Sequence, residues 1–270
     1  LPMMAAGDLR VSLSMTEPDG GTDVLGAMKT YADKVDGGWV INGAKMWTTA
    51  AKAADRLLVL ARSDRNAAKK HHGLTAFFVD AKSKGITASL LPKLGMRAMG
   101  SCSVTYDDVF VPDCDVLGEP HMAWGAMLPS LNNERIMVGA QCLGAIDGVL
   151  EDALAYMMQR KAFGKTIGDF QNTQFKLAEM DSELTAMRVF IDRCIELHLQ
   201  GKLDIPTAAK TKLLSTDLQC KIMDECVQLH GGYGFTRDFP LERLARDCRI
   251  FRIYEGSSEI QRMIIAGHIL

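Results

Sequence analysis

The feature that most constrains the fold is a change in the spacing of apolar residues near the middle of the chain. Short runs rich in β-branched and aromatic residues fill the first 112 positions, whereas no proline interrupts the stretch between Pro129 and Pro206. Within that stretch apolar residues recur every three or four positions, which is the spacing of one helix face. The two periods predict a β domain followed by a helical domain.

The first region predicts a sheet of short strands. The strand-like runs cover residues 11–15, 56–61, 74–79 and 104–111. Asp36-Gly37-Gly38 and Asn42-Gly43 bracket the run Trp39-Val40-Ile41, which indicates a tight hairpin. Many short strands joined by glycine and aspartate turns are typical of a closed or sandwiched antiparallel sheet. We therefore expect an antiparallel β-barrel over residues 1–115.

The second region predicts antiparallel bundle helices. Two stripes advance by alternating steps of three and four residues, and they contain Leu177, Met180, Leu184, Met187, Ile191 and Cys194, then Ala209, Leu213, Thr216, Cys220, Met223 and Val227. A looser stripe contains Ile136, Ala140, Leu143, Val149 (or Leu150), Ala153 and Met157. A shorter helix is expected from about Ser258, and Asp204 before Pro206 is a predicted N-cap. These features predict an up-down four-helix bundle over residues 116–270, with the boundary between Pro112 and Pro120.

Charge and composition exclude several classes of protein. The 31 basic and 33 acidic residues give a net charge of −2, which argues against a general nucleic-acid binder. No apolar run reaches the roughly 18 residues of a membrane span, and the first residues lack the basic start of a secretory leader. The seven cysteines form no C-x-x-C pair. We expect reduced, mostly buried thiols, no metal site and an intracellular location.

Two segments of the β region could contact a ligand. In residues 16–23 the paired glycines Gly20-Gly21 stand among hydroxyls and carboxylates, and such backbone can bring N–H groups close to a phosphate or a ring edge. The alternative is a surface turn. Residues 45–49 could present an indole and hydroxyls to a planar ligand, and the alternative is an ordinary amphipathic strand.

Two segments of the helical region have the same double interpretation. The three glycines of residues 228–235 suit a helix C-cap followed by a turn, or a close approach of backbone to a diphosphate. No G-x-G-x-x-G follows a strand, so a Rossmann site is not supported. In residues 254–259 a serine and a glutamate suit a capping box, which is the interpretation we favour for Glu259. For Glu255, which precedes the helix, a structural and a functional role remain equally open.

Taken together, these segments resemble the acyl-CoA dehydrogenase family. The matching motifs are Thr16-Glu17-Pro18 with Gly21-Thr22-Asp23, Asn42-Gly43 with Lys45-Met46-Trp47 and Thr49, residues 159–165 followed by Gln171, Gln228 with Gly231-Gly232, and Tyr254-Glu255-Gly256. Their order and spacing extend along essentially all 270 residues. The resemblance implies the family's middle β-barrel domain and C-terminal four-helix bundle. It also implies that the family's N-terminal helical domain is absent from this sequence.

The resemblance further implies a bound FAD. The implied flavin contacts are Leu13, Ser14, Met15, Thr16, Thr22, Trp47, Thr48 and Thr49. The implied contacts to the adenosine diphosphate part, across a subunit boundary of a homotetramer, are Arg160, Phe163, Gln171, Gln228, Leu229, Gly231 and Gly232. Ser257 and Glu259 also fall at family FAD positions, although an acidic Glu259 would repel a phosphate.

For the reaction, the resemblance implies desaturation of an acyl-CoA thioester to the trans-2-enoyl-CoA. A carboxylate removes the C2 proton while C3 delivers hydride to flavin N5, and an electron-transferring flavoprotein then reoxidises the flavin. Glu255 matches the base of most members. Glu134 is the alternative, because a minority of members carry the base immediately before the residue matching Arg135. The implied substrate contacts are Thr22, Asn132, Arg135, Tyr254 and Gly256.

Two other functions remain open from the sequence. One is a flavin-binding homologue that no longer dehydrogenates thioesters, and the other is a related flavin oxidase that passes electrons to oxygen. The expected compartment is the bacterial cytoplasm or the mitochondrial matrix.

Overall fold

The computed structural model describes residues 1–270 and divides them into two compact units, which we call the sheet unit (Leu1–Leu128) and the helical unit (Pro129–Leu270). The first is built on strands and the second on long helices. The predicted order of a β domain and a helical domain is therefore confirmed.

Eight strands form the framework of the sheet unit. After a short helix α1 (Pro2–Ala6) come β1 (Val11–Ser14), β2 (Tyr31–Val35), β3 (Gly38–Thr49), β4 (Arg56–Arg62), β5 (Leu74–Asp80), β6 (Ile86–Leu90), β7 (Ser101–Pro112) and β8 (Val116–Leu117). The strand order is β6-β7-β3-β2-β4-β5-β8, and β1 pairs with β4. The inward faces enclose a core that includes Trp39, Ile41, Phe77 and Val104.

The pairing differs in two respects from the expected antiparallel barrel. Strand β4 pairs in parallel with both β1 and β2, so the sheet is mixed. The hydrogen-bonded order also ends at β6 on one side and β8 on the other. The runs of apolar residues locate strands, but they carry no information on which strands become neighbours, because pairing joins segments that are distant in sequence.

One half of the predicted hairpin signal is confirmed. Asp36-Gly37 joins β2 to β3 as a two-residue turn, with Val35 paired to Gly38. Gly37 has φ 73°, a conformation that glycine adopts without steric cost. The turn therefore fixes the register of the antiparallel β2–β3 pair.

The other half of the signal was wrong, because Asn42-Gly43 lies inside β3 at an irregularity of the β3–β7 register. The Asn42 side chain donates to Asp108 Oδ1 (2.9 Å) and accepts from the Asp108 backbone N (2.9 Å). A Cβ atom at Gly43 would lie 2.4 Å from Thr30 Oγ1. The glycine thus permits close packing in a bulge rather than a chain reversal.

A buried ion pair anchors the long segment between β1 and β2. Lys45 is fully buried and donates to Glu17 Oε1 (2.9 Å) and to the Met15 carbonyl (2.8 Å). The Glu17 carboxylate also accepts from the backbone N–H groups of Lys29 (2.6 Å) and Thr30 (2.9 Å). One carboxylate therefore satisfies three donors and closes the loop that carries the segment 16–23.

The helical unit contains four helices after the long α2, whose first residues belong to the sheet unit. The elements are α2 (Ala123–Gln159), the small hairpin β9 (Lys161–Ala162) and β10 (Lys165–Thr166), then α3 (Gln171–Leu199), α4 (Ile205–His230), α5 (Leu241–Cys248) and α6 (Ser258–Ile269). Asp204 caps α4 by accepting from Thr207 N (2.6 Å), as predicted. None of these helices has both the length and the apolar character needed to cross a membrane.

The predicted stripes of α3 and α4 are confirmed as core positions, but α4 is buried on more than one face. Its second buried face is partly polar and includes Thr211, Lys212, Ser215 and Gln219. In α2 the predicted Ala140 is exposed and Gly139 is buried instead. A Cβ atom at Gly139 would lie 2.7 Å from Thr211 Cγ2, so α2 and α4 approach closely there.

The division between the units falls later than the expected 115/116 boundary. Strand β8 pairs with β5, and Ala123 packs in a cluster with Leu60 and Leu74. These contacts assign residues 116–128 to the sheet unit. Of the seven cysteines, all free, five are buried, Cys220 is half-buried and Cys114 is exposed, in line with the expectation of mostly buried thiols.

We expect Glu17→Gln to lower the free energy of unfolding of the sheet unit by about 3–5 kcal/mol, because it leaves the Lys45 ammonium buried without its countercharge. The matched control is Asp19→Asn, which removes the exposed Lys29–Asp19 pair and should cost clearly less, because solvent screens exposed pairs. Urea unfolding followed by tryptophan fluorescence measures both, since Trp39 is buried in this unit. Equal losses in the two variants would contradict the anchoring role.

Candidate functional site

A strained turn before α6 presents the Glu255 carboxyl group. Glu255 has φ 53° and Gly256 has φ 84°, and a glutamate in the left-handed region is uncommon. Gln261 Nε2 donates to the carbonyls of Glu255 (3.1 Å) and Gly256 (2.9 Å), and Lys212 Nζ donates to that of Gly256 (2.8 Å). Both donors are fully buried. Two rigid helices, α4 and α6, therefore fix the position of this turn.

The charges around Glu255 come from two helices. Glu134 and Arg135 lie on α2, and Lys212 lies on α4. Partial burial of the carboxyl raises the pKa of Glu255, and the hydrogen bond and negative charge of Glu134 raise it further, to about 8, although Lys212 and Arg135 act in the opposite direction. The residue keeps an exposed surface. Glu255 can therefore gain or lose a proton near neutral pH.

Arg135 and Asn132 stand side by side on α2. Arg135 Nη1 donates to Asn132 Oδ1 (2.9 Å), and the side chain is only 8% exposed. Burial lowers the pKa of Arg135, while Glu255 and Glu134 partly offset this effect. Its buried Nε atom has no hydrogen-bond partner within the chain. A buried donor without a partner indicates a site that an external acceptor can complete.

The residues on either side of Glu255 have different local roles. Tyr254 is half-buried and packs edge-on against Phe251, with ring centroids 5.2 Å apart. Ser257 caps α6 by accepting from Ile260 N (3.4 Å). Glu259 is exposed in the first turn of α6, and its own backbone N–H and Ser257 lower its pKa. Both of these polar residues therefore stabilise the helix terminus locally.

In the sheet unit a bulge in β3 exposes Trp47. Lys45 pairs with Val104 and Thr48 with Cys102, so two residues of β3 oppose one of β7. Trp47 has φ 62° and is 53% exposed. Bulges commonly re-aim a side chain next to a functional site. The indole is thereby displayed on the surface of the sheet unit.

The remaining predicted ligand residues of the sheet unit differ in exposure. Leu13, Thr22 and Thr49 are exposed, and Met15 and Thr16 are half-buried. Thr16 also accepts a hydrogen bond from Met46 N (2.7 Å), which brings the two predicted segments together. Ser14 and Thr48 are fully buried and bonded to each other (3.1 Å). Their side chains serve the sheet, and both residues also pair with neighbouring strands, Ser14 with Val59 and Thr48 with Cys102.

The β9–β10 hairpin of the helical unit displays an aromatic ring. Its two-residue turn consists of Phe163 (φ 52°) and Gly164 (φ 81°), and Phe163 is 95% exposed. Positive φ at both positions is the requirement of a type I′ turn. A fully exposed phenylalanine in a strained conformation is an outlier that suggests a binding role.

Arg160 lies beside a cleft of about 540 Å³ in the helical unit. Its lining includes Tyr156, Arg160 and Phe239, and the Arg160 guanidinium also lies over the Tyr233 ring (5.4 Å). The other predicted positions are Gln171 at the start of α3, Gln228 and Leu229 in the last turn of α4, and Gly231 and Gly232 just after it. A Cβ atom at either glycine would meet nothing within 4 Å, and Gly231 is the C-cap of α4.

Sequence reasoning missed the buried groups that hold these segments. Lys45 and Lys212 were not predicted as anchors, nor was Gln261. For Lys45 a signal existed, because it lies four residues after the buried Ile41 and strand alternation places both on one face. For Lys212 the stripe analysis followed the other face of α4, so the sequence offered no comparable signal.

The fold and site define a two-part chain with a sheet domain, a helical bundle and a carboxylate centre in the bundle. The solved acyl-CoA dehydrogenase of Geobacillus kaustophilus is similar to this chain, with a TM-score of 0.97 and 32% identity, over 99% of this chain and 70% of that one. Family profiles for the acyl-CoA dehydrogenase middle domain and C-terminal domain match residues 12–109 and 124–270. The chain belongs to the acyl-CoA dehydrogenase family.

Two curated relatives show how much of a family member the chain represents. The mitochondrial long-chain specific acyl-CoA dehydrogenase of Mus musculus is 34% identical over all of this chain and 63% of its own length. The mitochondrial isovaleryl-CoA dehydrogenase of Oryza sativa is 39% identical over all of this chain and 65% of its own length. The chain thus spans slightly less than two thirds of these relatives.

We expect Glu255→Gln to flatten the fall in unfolding free energy with rising pH. The folded pKa of Glu255, about 8, exceeds its ordinary value of 4.5, so its contribution is greatest below that value and is lost as the pH rises towards 8. Glu259→Gln is the matched control, because the pKa of Glu259 is lowered and its contribution is lost in the opposite direction, as pH falls. Urea titrations at about pH 5 and about pH 8 measure the difference; an unchanged slope in Glu255→Gln would show that the carboxyl titrates normally.

Proposed function

We propose that the chain carries the catalytic centre of an FAD-dependent dehydrogenase that converts an acyl-CoA thioester to its trans-2-enoyl-CoA. The observation that carries the proposal is the Glu255 carboxyl, displayed on a strained turn that two buried side chains anchor. Family membership supports the same reaction class. Oxidation of this kind belongs to the metabolism of fatty acids and other acyl groups.

Glu255 acts as the general base that takes the C2 proton of the thioester. A base is most effective when its pKa lies near the working pH, and partial burial together with Glu134 brings that of Glu255 to about 8. The hydrogen-bonded turn limits the motion of the carboxylate. Little conformational entropy is therefore lost in orienting the base when the substrate binds. The backbone N–H of Glu255 is the proposed donor to the thioester oxygen, where negative charge develops as the proton leaves.

The residues present fit a flavin dinucleotide. An exposed indole at Trp47, exposed Thr49 and half-buried Thr16 suit a planar ring, while Arg160 and the open surface at Gly232 suit a diphosphate. Further proposed contacts are Leu13, Ser14, Met15, Thr22, Thr48, Phe163, Gln171, Gln228, Leu229, Gly231, Ser257 and Glu259. When bound, FAD supplies the acceptor for the C3 hydride.

Arg135 and Asn132 are the proposed contacts to the CoA thioester, with Thr22, Tyr254 and Gly256. Arg135 supports this role because its Nε atom is buried without a partner and because its charge faces the catalytic carboxyl. An acceptor atom of the substrate would satisfy that donor. The positive charge also stabilises the ionised form of Glu255.

Assembly, electron transfer and location follow as parts of the same proposal. We propose a homotetramer, a dimer of dimers, in which Arg160, Phe163 and Gln171 reach the cofactor of a neighbouring subunit. The exposed ring of Phe163 supports such a contact. The electron acceptor is an electron-transferring flavoprotein, and the compartment is the bacterial cytoplasm or the mitochondrial matrix.

Glu134 is the second candidate for the base. It is half-buried on α2, directly before Arg135, and it interacts with the Glu255 carboxyl. The hydrogen bond and negative charge of Glu134 raise the pKa of Glu255. In the favoured assignment Glu134 tunes Glu255 and does not itself remove the proton.

We expect Glu255→Gln to slow flavin reduction by acyl-CoA by about 10²–10⁴-fold, because the general base is lost. Glu134→Gln should cost clearly less and should shift the rising limb of the rate-against-pH curve to lower pH, because the group that raises the pKa of Glu255 is removed. Anaerobic stopped-flow absorbance of the FAD-loaded protein, with a panel of acyl-CoAs, measures both variants.

The outcomes of this experiment separate the alternatives. If Glu134→Gln abolishes bleaching and Glu255→Gln does not, the two roles are reversed. If no acyl-CoA bleaches the unsubstituted protein, the homologue binds flavin without dehydrogenating thioesters. Rapid reoxidation of the bleached flavin by oxygen would instead indicate an oxidase.

We expect Arg160→Ala to weaken FAD binding by about 10- to 100-fold, because a charge-assisted hydrogen bond to the diphosphate is lost. Arg237→Ala, which removes another exposed arginine of the helical unit, is the control and should leave binding unchanged. Fluorescence titration of the apoprotein with FAD measures both. Equal affinities in the two variants would remove Arg160 from the cofactor site.

A further inference from the structure

We propose that Lys212 is a positioning residue for Glu255: it holds the Glu255-Gly256 turn through its hydrogen bond to the Gly256 carbonyl and supplies the buried positive charge that faces the Glu255 carboxyl. The inference rests on the proposed function, because it gives the base of that reaction its position and its working charge. Lys212 itself does not touch the reacting atoms in this proposal.

The burial of Lys212 requires an explanation. Its side chain is 0% exposed in the middle of α4, and its ammonium donates to the Gly256 carbonyl (2.8 Å). Lys45, which is equally buried, has a carboxylate partner at 2.9 Å, whereas Lys212 forms no ion pair at contact distance. A buried ammonium without a contacting countercharge costs free energy that an apolar residue would not cost. A function for the charge accounts for that cost.

Charged and titratable groups on α2 and α4 surround the pair formed by Lys212 and Glu255. Cys142 and Arg135 on α2, Asp217 on α4 and Glu255 itself act on Lys212. Burial lowers the pKa of Lys212 to about 8, and Glu255 and Asp217 counteract this, so the amine is still largely protonated at pH 7.

The pKa of Glu255 depends in turn on the charges around it, including that of Lys212. Partial burial and Glu134 raise its pKa, and Lys212 and Arg135 lower it. Lys212 has the larger effect of the two cations, and it also bonds to the turn. Without this charge the base would stay protonated to higher pH.

The turn has a neutral anchor as well as a charged one. Gln261 Nε2 donates to the same Gly256 carbonyl (2.9 Å) and to that of Glu255 (3.1 Å). A substitution of Lys212 therefore leaves the carbonyl with a partner, so the turn remains hydrogen-bonded. Anchoring and charge can consequently be separated by choosing which donor to remove.

The experiment compares four variants of the FAD-loaded protein by the pH dependence of flavin reduction. Lys212→Met removes the bond and the charge, Lys212→Gln removes the charge but keeps a donor, and Gln261→Met removes the neutral anchor only. We expect Lys212→Met and Lys212→Gln to move the rising limb upward by about one pH unit. Gln261→Met should lower the maximal rate without moving the limb, and Lys212→Arg should restore the original limb.

A second readout does not depend on activity. The difference in unfolding free energy between Lys212→Gln and the double variant Lys212→Gln/Glu255→Gln, followed against pH, reports the titration of Glu255 alone. We expect its midpoint above that of the corresponding pair that retains Lys212. Midpoints and limbs that stay in place in both Lys212 variants would overturn the proposal. If no acyl-CoA reduces the flavin but the midpoint still moves, the proposed function fails and the positioning role stands.

Discussion

The sheet unit depends on the buried contact between Glu17 and Lys45. The carboxylate accepts hydrogen bonds from two backbone N–H groups and from the ammonium. It therefore supplies the segment between β1 and β2 with acceptors that a neighbouring strand would otherwise supply. The Lys45 ammonium also holds the Met15 carbonyl, and the adjacent Met46 N–H bonds to Thr16. The bulge that exposes Trp47 begins directly after this lysine. A single ion pair thus sets both the loop and the strand irregularity from which the proposed flavin surface is built.

The helical unit also buries a lysine, but its ammonium bonds to a backbone carbonyl and not to a carboxylate. Its central helix α4 buries polar side chains on the face towards the Glu255 turn, and Lys212 and Gln261 bond backbone carbonyls there instead of a carboxylate. Carbonyl oxygens offer hydrogen bonds without a full countercharge, so the ammonium keeps a long-range influence on nearby acids. In the sheet unit the charge of the lysine is locally neutralised, while in the helical unit it remains available to Glu255.

The sequence predicted the parts of this structure that follow from local periodicity. The α3 and α4 stripes, the cap at Asp204 and the Asp36-Gly37 turn each depend on neighbouring residues, and all are present. The parallel pairing of β4 depends on contacts between distant segments, which periodicity does not encode. Asn42-Gly43 has the composition of a turn but serves a bulge, because Asp108 on the next strand completes its hydrogen bonds. Glu255 was selected through family resemblance; the neighbours that set its pKa required the folded chain.

Gly139 has a consequence for the geometry of the charged cluster, although it touches none of the charged groups. It lies one helical turn after Arg135, and it faces Thr211, the residue immediately before Lys212. The spacing of the two cations is therefore set at a point where α2 has no side chain. A single added methyl group would lie 2.7 Å from Thr211 Cγ2, so either the Thr211 side chain or the spacing of the two helices would have to change. The electrostatic potential at Glu255 is thus determined in part by a contact between a methyl group and bare backbone, and steric change there would alter acidity with no change in charge.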